Sequence, residues 1–180
     1  MIHFRNDYSA GACPAVLEAL TATNGELTAG YGTDPYCAQA ADAIRSLCAC
    51  LQAAVHFLVG GTQTNTTVIA SILRPWQGVL SADSGHINCH EAGAIESTGH
   101  KVITLPAAEG KITAQQVQDY VEWHRNDEST EHIVQPGMVY ISHPTEYGTL
   151  YSKAELEALS AVCHTCLLYT SPSPRDRQKS

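Results

Sequence analysis

The sequence has no long apolar run, little basic charge and no leader-like N-terminus. No stretch approaches the roughly 20 apolar residues that a membrane-spanning helix needs. The opening MIHFRNDY lacks the basic start and apolar region of a secretory leader. Ten basic residues against 18 acidic ones give a net charge of -8. The basic residues form no stripe of the kind that binds nucleic acid. These absences predict a cytoplasmic globular protein whose partners are small molecules or its own copies.

The sequence also lacks a recognisable metal-binding motif. His86 and His90 have the i, i+4 spacing at which two imidazoles on a helix can share an ion, and Cys89 lies between them. No second ligand pair and no H-E-x-x-H motif accompanies them, so we predict no metal. The seven cysteines are odd in number and follow no leader. Buried thiols are therefore favoured over a disulfide framework.

What the chain does contain is an alternation of apolar strand patterns and amphipathic helix patterns. A length of 180 residues fits one domain by the usual prior of about 150 residues each. The predicted strands are 55–59, 78–81, 102–105 and 138–142. The predicted helices are 14–20, 35–51, 66–73, a turn after His86, 113–124 and 152–163. Such alternation predicts an α/β fold, a mostly parallel sheet with helices on both faces.

One strand-to-helix connection has the composition of a phosphate-binding turn. The apolar run 55–59 ends in Gly60 and Gly61, and Thr62 and Gln63 follow. Glycines let the backbone turn sharply, and the N–H groups that begin a helix attract an anion. A structural turn without a ligand is an equally good interpretation of this segment alone. A Walker-type nucleotide site is less favoured, because GGTQTN has no lysine.

A second segment, SADSGHINCHEAG at 81–93, carries a family resemblance together with the first. The ordered motifs FRND (4–7), YGTDP (31–35), GGTQTN (60–65), S-G-H-x-x-x-x-E-A-G and HPTEYGT (143–149) resemble the threonine aldolase and aromatic amino-acid β-eliminating lyase family. The resemblance extends from Met1 to about His164. It implies an aspartate-aminotransferase-like fold of type I that binds pyridoxal 5'-phosphate.

The resemblance also implies roles for individual residues. Gly61, Thr62 and Gln63 would hold the cofactor phosphate, His86 would lie against the pyridine ring, and Glu91 would support the same site. The substrate side would be lined by Asn6, which stands where serine is commoner in the family, and by Asp7, Tyr31 and Asp34. Tyr147 and Thr149 are candidates by position only. His86, or a water beside it, would be the base at the substrate hydroxyl.

The implied reaction cleaves a β-hydroxy amino acid, L-threonine or L-allo-threonine, into glycine and acetaldehyde. Family members work as homo-oligomers, so a homodimer or homotetramer is expected. They also need a lysine that links to the cofactor and an aspartate at the pyridine nitrogen, both C-terminal to the helix near Cys163. Lys101, Lys111 and Lys153 match no cofactor-lysine motif. We therefore expect this polypeptide to be inactive by itself.

The last residues resemble a translated sequencing adaptor rather than a protein sequence. CLLYTSPSPRD, from Cys166 to Asp176, is what one frame of a common transposon-end sequencing adaptor encodes. The alternative is a natural Ser/Pro-rich disordered tail. We expect 1–165 to be the N-terminal part of the cofactor-binding large domain and 166–180, which includes Lys179, to be a disordered non-native tail. Missing strands would leave a sheet edge and apolar helix faces uncovered, so aggregation is expected.

Two other functions remain open at this point. One is a different enzyme of the same fold type, a β-eliminating lyase or a desulfurase, which would share the phosphate turn. The other is a non-catalytic phosphate-binding module. The sequence around the absent lysine would distinguish the three.

Overall fold

The computed structural model describes Asn6 and residues 9–170, with the side chains of 169 and 170 excepted. Asp7 and the predicted tail beyond Thr170 lie outside the described residues. The chain divides into two compact units, Met1–Phe57 and Leu58–Ser180.

The described part of the first unit contains two helices, α1 (Pro14–Thr23) and α2 (Pro35–Leu47). Both have proline in the first turn, where its missing N–H costs nothing. Asp34 caps α2 by accepting a hydrogen bond from the Cys37 N–H at 2.8 Å. Among the described residues of this unit only Ala41 is buried.

The second unit contains the sheet. Its strands are β1 (Gln77–Ala82), β2 (Val102–Leu105), β3 (Gln135–Val139) and β4 (Tyr169–Thr170). They lie in the order β2-β1-β3-β4, and every neighbouring pair is parallel. The helices are α3 (Gly61–Ile72), α4 (His86–Cys89), α5 (Ala114–Asn126) and α6 (Lys153–Cys166). Since all strands point the same way, their carboxyl ends meet at one edge.

In β1, β2 and β3, neighbouring residues pack into two separate cores on opposite faces of the sheet. Val79 of β1 packs on one face with residues of α3 and α4, whereas Leu80 packs on the other with residues of α5 and α6. The first core contains Ile69, Leu73, Val79, Ile87, Ile95, Val102 and Met138; the second includes Leu80, Ile103, Val117, Val121, Val139, Leu159 and Cys163. A parallel sheet with helices on both faces is confirmed.

Several predicted elements differ from those in the structure. Residues 55–59 form no strand, because none of them pairs with a strand of the described sheet. Val59 is exposed. β3 begins three residues before the predicted 138. α3 starts at Gly61 rather than Thr66, and α2 ends at Leu47 rather than Leu51. Regular structure continues past the predicted boundary at 165, since Cys166 is buried in α6 and β4 follows.

No helix among the described residues is long and apolar enough to cross a bilayer.

Candidate active site

The start of α3 presents an open helix N-terminus. Gly60 is the N-cap and no side chain caps the helix. The first intrahelical bond runs from the Thr64 N–H to the Gly60 carbonyl at 3.0 Å. A Cβ built on Gly60 or Gly61 would meet nothing within 4 Å. The amides of Gly61, Thr62 and Gln63 therefore begin the helix without a side-chain cap, at the end where the helix dipole favours an anion.

The Gln63 side chain turns back onto the loop before α3. Its Oε1 accepts the Val59 N–H at 3.0 Å. This contact closes the turn around the two glycines. It also means that Gln63 would offer a ligand its backbone amide rather than its side chain.

His86 opens α4 directly after β1, at the carboxyl edge of the sheet. Gly85 precedes it as the N-cap, and a Cβ there would overlap the Ser81 hydroxyl. The His86 N–H donates to Ser142 Oγ at 3.2 Å, across from the end of β3. The backbone of His86 is thus fixed, while its side chain remains 43% exposed.

Two carboxylates flank the imidazole of His86. Glu146 Oε1 lies 3.1 Å from Nδ1, a hydrogen-bonding distance. Glu91 Oε1 lies 3.9 Å from Nε2, which is too long for a hydrogen bond. Glu146 Oε2 is also 3.5 Å from His90 Nε2, and the two histidine rings are 5.5 Å apart.

Glu91, two residues after the end of α4, is buried and bonded to α3. Its side chain is fully shielded from solvent, and Oε1 accepts a hydrogen bond from Asn65 Nδ2 at 2.7 Å. Oε2 has no hydrogen-bond partner among the described residues. Burial raises the pKa of the nearby Tyr140 phenol, and the charges of Glu91 and Glu146 raise it further. The second turn of α3 is therefore tied to the surroundings of His86.

The segment after β3 is held by hydroxyl contacts. Thr145 is buried, and its Oγ1 lies 2.6 Å from Thr149 Oγ1. Thr149 Oγ1 donates to the Glu109 carbonyl at 2.7 Å. Tyr147 is mostly exposed. In this segment, therefore, Thr149 holds the loop through its hydrogen bonds, whereas Glu146 contacts the His86 side chain.

The predicted substrate-side residues belong to the first unit. Asn6 Oδ1 accepts the Ser9 N–H at 2.8 Å, and Tyr31 is fully exposed with a φ of 61°. Asp34 caps α2, and its hydrogen bonds with Cys37 lower the pKa of its carboxyl group. Asp7 lies outside the described residues.

The three lysines within the described residues all lie in other contexts. Lys111 Nζ pairs with Glu155 at 2.7 Å and Lys153 with Glu157 at 3.8 Å. Lys101 is exposed before β2. No set of three histidine, cysteine, aspartate or glutamate side chains within this part of the chain is arranged to hold a metal ion.

A surface groove of about 430 Å³ lies away from His86. It is lined by Trp76, His124, Arg125, Thr130, Glu131, Ile133 and Gln135, and several of these precede β1 or β3. In parallel sheets ligands bind at the opposite, carboxyl edge. We therefore place the candidate site around His86 rather than in this groove.

Sequence reasoning missed three residues of this site, namely Asn65, Ser142 and Glu146. Asn65 is part of GGTQTN, yet only the first residues of that motif were assigned. Ser142 and Glu146 follow β3, which is adjacent to β1. The rule that neighbouring parallel strands end at one edge could have found them.

Comparison with known proteins gives concordant results. A low specificity L-threonine aldolase of a Pseudomonas species is 32% identical over 162 residues, and one of Pseudomonas aeruginosa is 31% identical; each match covers 89% of this chain. The chain spans 45% of the length of these relatives. A solved structure of Leishmania major threonine aldolase is 46% identical with a TM-score of 0.86, covering 92% of this chain and 47% of that one.

The sequence model of the beta-eliminating lyase family matches residues 3–167. That range contains the open start of α3, the buried Glu91 and the His86 cluster. The chain belongs to the beta-eliminating lyase family.

Proposed function

We propose that this chain forms the N-terminal part of a pyridoxal-phosphate-dependent lyase that cleaves β-hydroxy amino acids. L-Threonine or L-allo-threonine would give glycine and acetaldehyde. The names of the relatives support this substrate class. The observation that carries the proposal is the Asn65–Glu91 hydrogen bond of 2.7 Å, because it ties the anion-binding start of α3 to the surroundings of His86.

The residues present fit the cofactor. The amides of Gly61, Thr62 and Gln63 would hold its phosphate, since no side chain caps that end of α3. The half-exposed ring of His86 would stack on the pyridine. Glu91 Oε2, buried without a hydrogen-bond partner in the described part of the chain, would accept a donor there. When bound, the cofactor draws electrons away from the amino-acid substrate.

The chain's own residues would bind the substrate and move its proton. Asn6, Asp7, Tyr31 and Asp34 would contact the amino acid. His86, or a water held by it, would take the proton from the β-hydroxyl so that the Cα–Cβ bond can break. Glu146 would keep the imidazole in place at 3.1 Å.

We propose further that residues 1–165 belong to the cofactor-binding large domain and that 166–180 are adaptor-encoded. The complete protein would be a cytoplasmic homodimer or homotetramer. The 180-residue polypeptide alone, given pyridoxal phosphate and L-threonine, should form no glycine above background. Lys111 and Lys153 are instead paired with Glu155 and Glu157, and Lys101 is exposed.

The decisive experiment recovers the reading frame from the source DNA past the codon for Thr165. The complete protein should contain the cofactor lysine and release glycine and acetaldehyde from L-threonine. His86→Phe, which keeps a flat ring but no proton acceptor, should lower kcat by about 10²- to 10⁴-fold. The exposed His132→Phe is the matched control and should leave kcat unchanged.

A reading frame without that lysine, or a protein that forms no glycine, would refute the proposal. Release of 2-oxobutyrate and ammonia from L-threonine instead would indicate a β-eliminating lyase, the alternative that the family description supports. Phosphate binding without any turnover would indicate a non-catalytic module.

A further inference from the structure

Glu146 is the described residue in the strongest side-chain contact with His86. Its Oε1 lies 3.1 Å from Nδ1, whereas Glu91 stands 3.9 Å from the opposite ring nitrogen. Only the first distance is within the range of an N–H···O hydrogen bond. A carboxylate can only accept a hydrogen bond, so Nδ1 must carry the proton that it receives.

The proton on Nδ1 determines the chemistry of the other nitrogen. In a neutral imidazole one nitrogen donates and the other accepts. With Nδ1 protonated, Nε2 keeps its lone pair. Nε2 faces Glu91, whose own hydrogen bond leads to Asn65 in α3. The accepting nitrogen therefore faces the carboxylate that is hydrogen-bonded to α3.

The segment that carries Glu146 is itself restrained. Thr145 is buried and packed against Gly110, where a Cβ would come within 2.8 Å of Thr145 Cβ. Ser142, from the same connection, accepts the His86 N–H at 3.2 Å. One segment therefore holds both the backbone and the side chain of His86. A histidine held both at its backbone and at its ring loses little further freedom when a ligand stacks on it.

We propose that Glu146 is the positioning residue of His86: it fixes the Nδ1–H tautomer and the ring orientation, leaving Nε2 as the proton acceptor. The catalytic role of this arrangement rests on the proposed function, in which Nε2 accepts the proton of the substrate hydroxyl. The tautomer itself depends only on the contacts within the second unit.

The test is nitrogen-15 NMR of the 180-residue chain labelled at histidine, at about pH 9, where an unperturbed imidazole is neutral. The His86 signals are assigned by their loss in His86→Gln. We expect the Nδ1–H tautomer in the unaltered chain. Glu146→Ala should lower the ratio of Nδ1–H to Nε2–H at least about tenfold, the effect of losing a hydrogen bond to a charged group.

Two further variants distinguish the positioning of the His86 ring by Glu146 from a general disturbance of the fold. Glu146→Gln should retain the Nδ1–H tautomer, because its amide oxygen still accepts the hydrogen bond. Glu122→Ala, which removes an exposed carboxylate from α5, should change nothing. An Nε2–H tautomer in the unaltered chain would overturn the proposal even if Glu146→Ala failed to fold. So would an unchanged tautomer ratio in a folded Glu146→Ala.

The complete enzyme supplies the catalytic readout. Glu146→Ala should lower kcat more than Glu146→Gln, and equal kcat values for Glu146→Ala and the unaltered enzyme would overturn a catalytic role. If the complete protein has no lyase activity but His86 shows the Nδ1–H tautomer, the proposed function fails while the assignment of Glu146 stands.

Discussion

Glu91 has a buried carboxylate whose described hydrogen bonding comes from Asn65 alone. Its side chain is fully shielded, and one of its two oxygens lacks a described partner. Burying a charged group is costly unless hydrogen bonds compensate, so residues that retain such groups often serve a ligand. Asn65 is therefore important to both the stability and the organisation of the site.

Asn65→Ala should destabilise the second unit by about 1–3 kcal/mol, because it leaves Glu91 Oε1 buried without its donor. Urea unfolding monitored by circular dichroism would measure the change. Asn126→Ala, at the exposed end of α5, is the control and should stay within about 0.5 kcal/mol of the unaltered chain. An equal effect of the two substitutions would contradict the importance of the Asn65–Glu91 contact.

The cysteines differ in their predicted reactivity. Burial raises the pKa of the Cys163 thiol to about 11, and neighbouring Cys166 adds to the shift. Cys13 and Cys89 are exposed. Since only the thiolate reacts, brief iodoacetamide treatment at about pH 8 should modify Cys13 and Cys89 and spare Cys163. Peptide mass spectrometry would show this, and rapid labelling of Cys163 in the folded chain would contradict its burial.

At the scale of elements, the start of α6 combines a capping box with an ion pair. Ser152 and Glu155 cap each other, and Lys111 donates to Glu155 at 2.7 Å. The Lys111 hydrogen bond, with help from Ser152, lowers the pKa of Glu155 from 4.5 to about 2. A carboxyl group whose pKa falls on folding stabilises the fold above its unfolded pKa.

The contribution of Glu155 should therefore be complete above about pH 4.5 and be lost as the pH falls towards about 2. Carbon-13 NMR of the Glu155 carboxyl group would follow the titration directly. Lys111→Met should move the midpoint upward. Glu157, which faces Lys153 at a longer 3.8 Å, provides the control within the same helix; an unmoved Glu155 midpoint in Lys111→Met would contradict the assignment.

The sequence predicted elements well where local chemistry decides them. The cap of α6 at Ser152 follows from the S-x-x-E spacing, and β2 has the predicted bounds. The strand at 55–59 was wrong because apolar character does not supply a neighbour to pair with. Glu146 was missed because its contact with His86 joins residues 60 positions apart, and only the sheet order brings them together.

At the scale of the whole molecule, the two units differ in how much apolar surface they bury. The second unit has two cores on the faces of its sheet. In the first, Ala41 is the single buried residue among those described, and Leu20, Leu27, Leu47 and Leu51 are exposed. We expect these exposed apolar side chains to promote association.

Hydrogen–deuterium exchange should therefore be fast in 9–57 and slow in β1, β2 and β3. The same exposed residues should bind a hydrophobic dye and make the chain associate as its concentration rises. Exchange followed by mass spectrometry and light scattering would measure the two effects. Equally slow exchange in both units, or a monomer at all concentrations, would contradict this view of the first unit.

The long separation between His86 and its partners also bears on the order of folding. Ser142 and Glu146 are 56 and 60 residues away from it. Closing such a loop costs conformational entropy. The pairing of β1 with β3 offsets this cost, because it brings the ends of the loop together. The His86 contacts should thus form after that pairing in a refolding experiment, so the imidazole signal would mark the completion of the sheet.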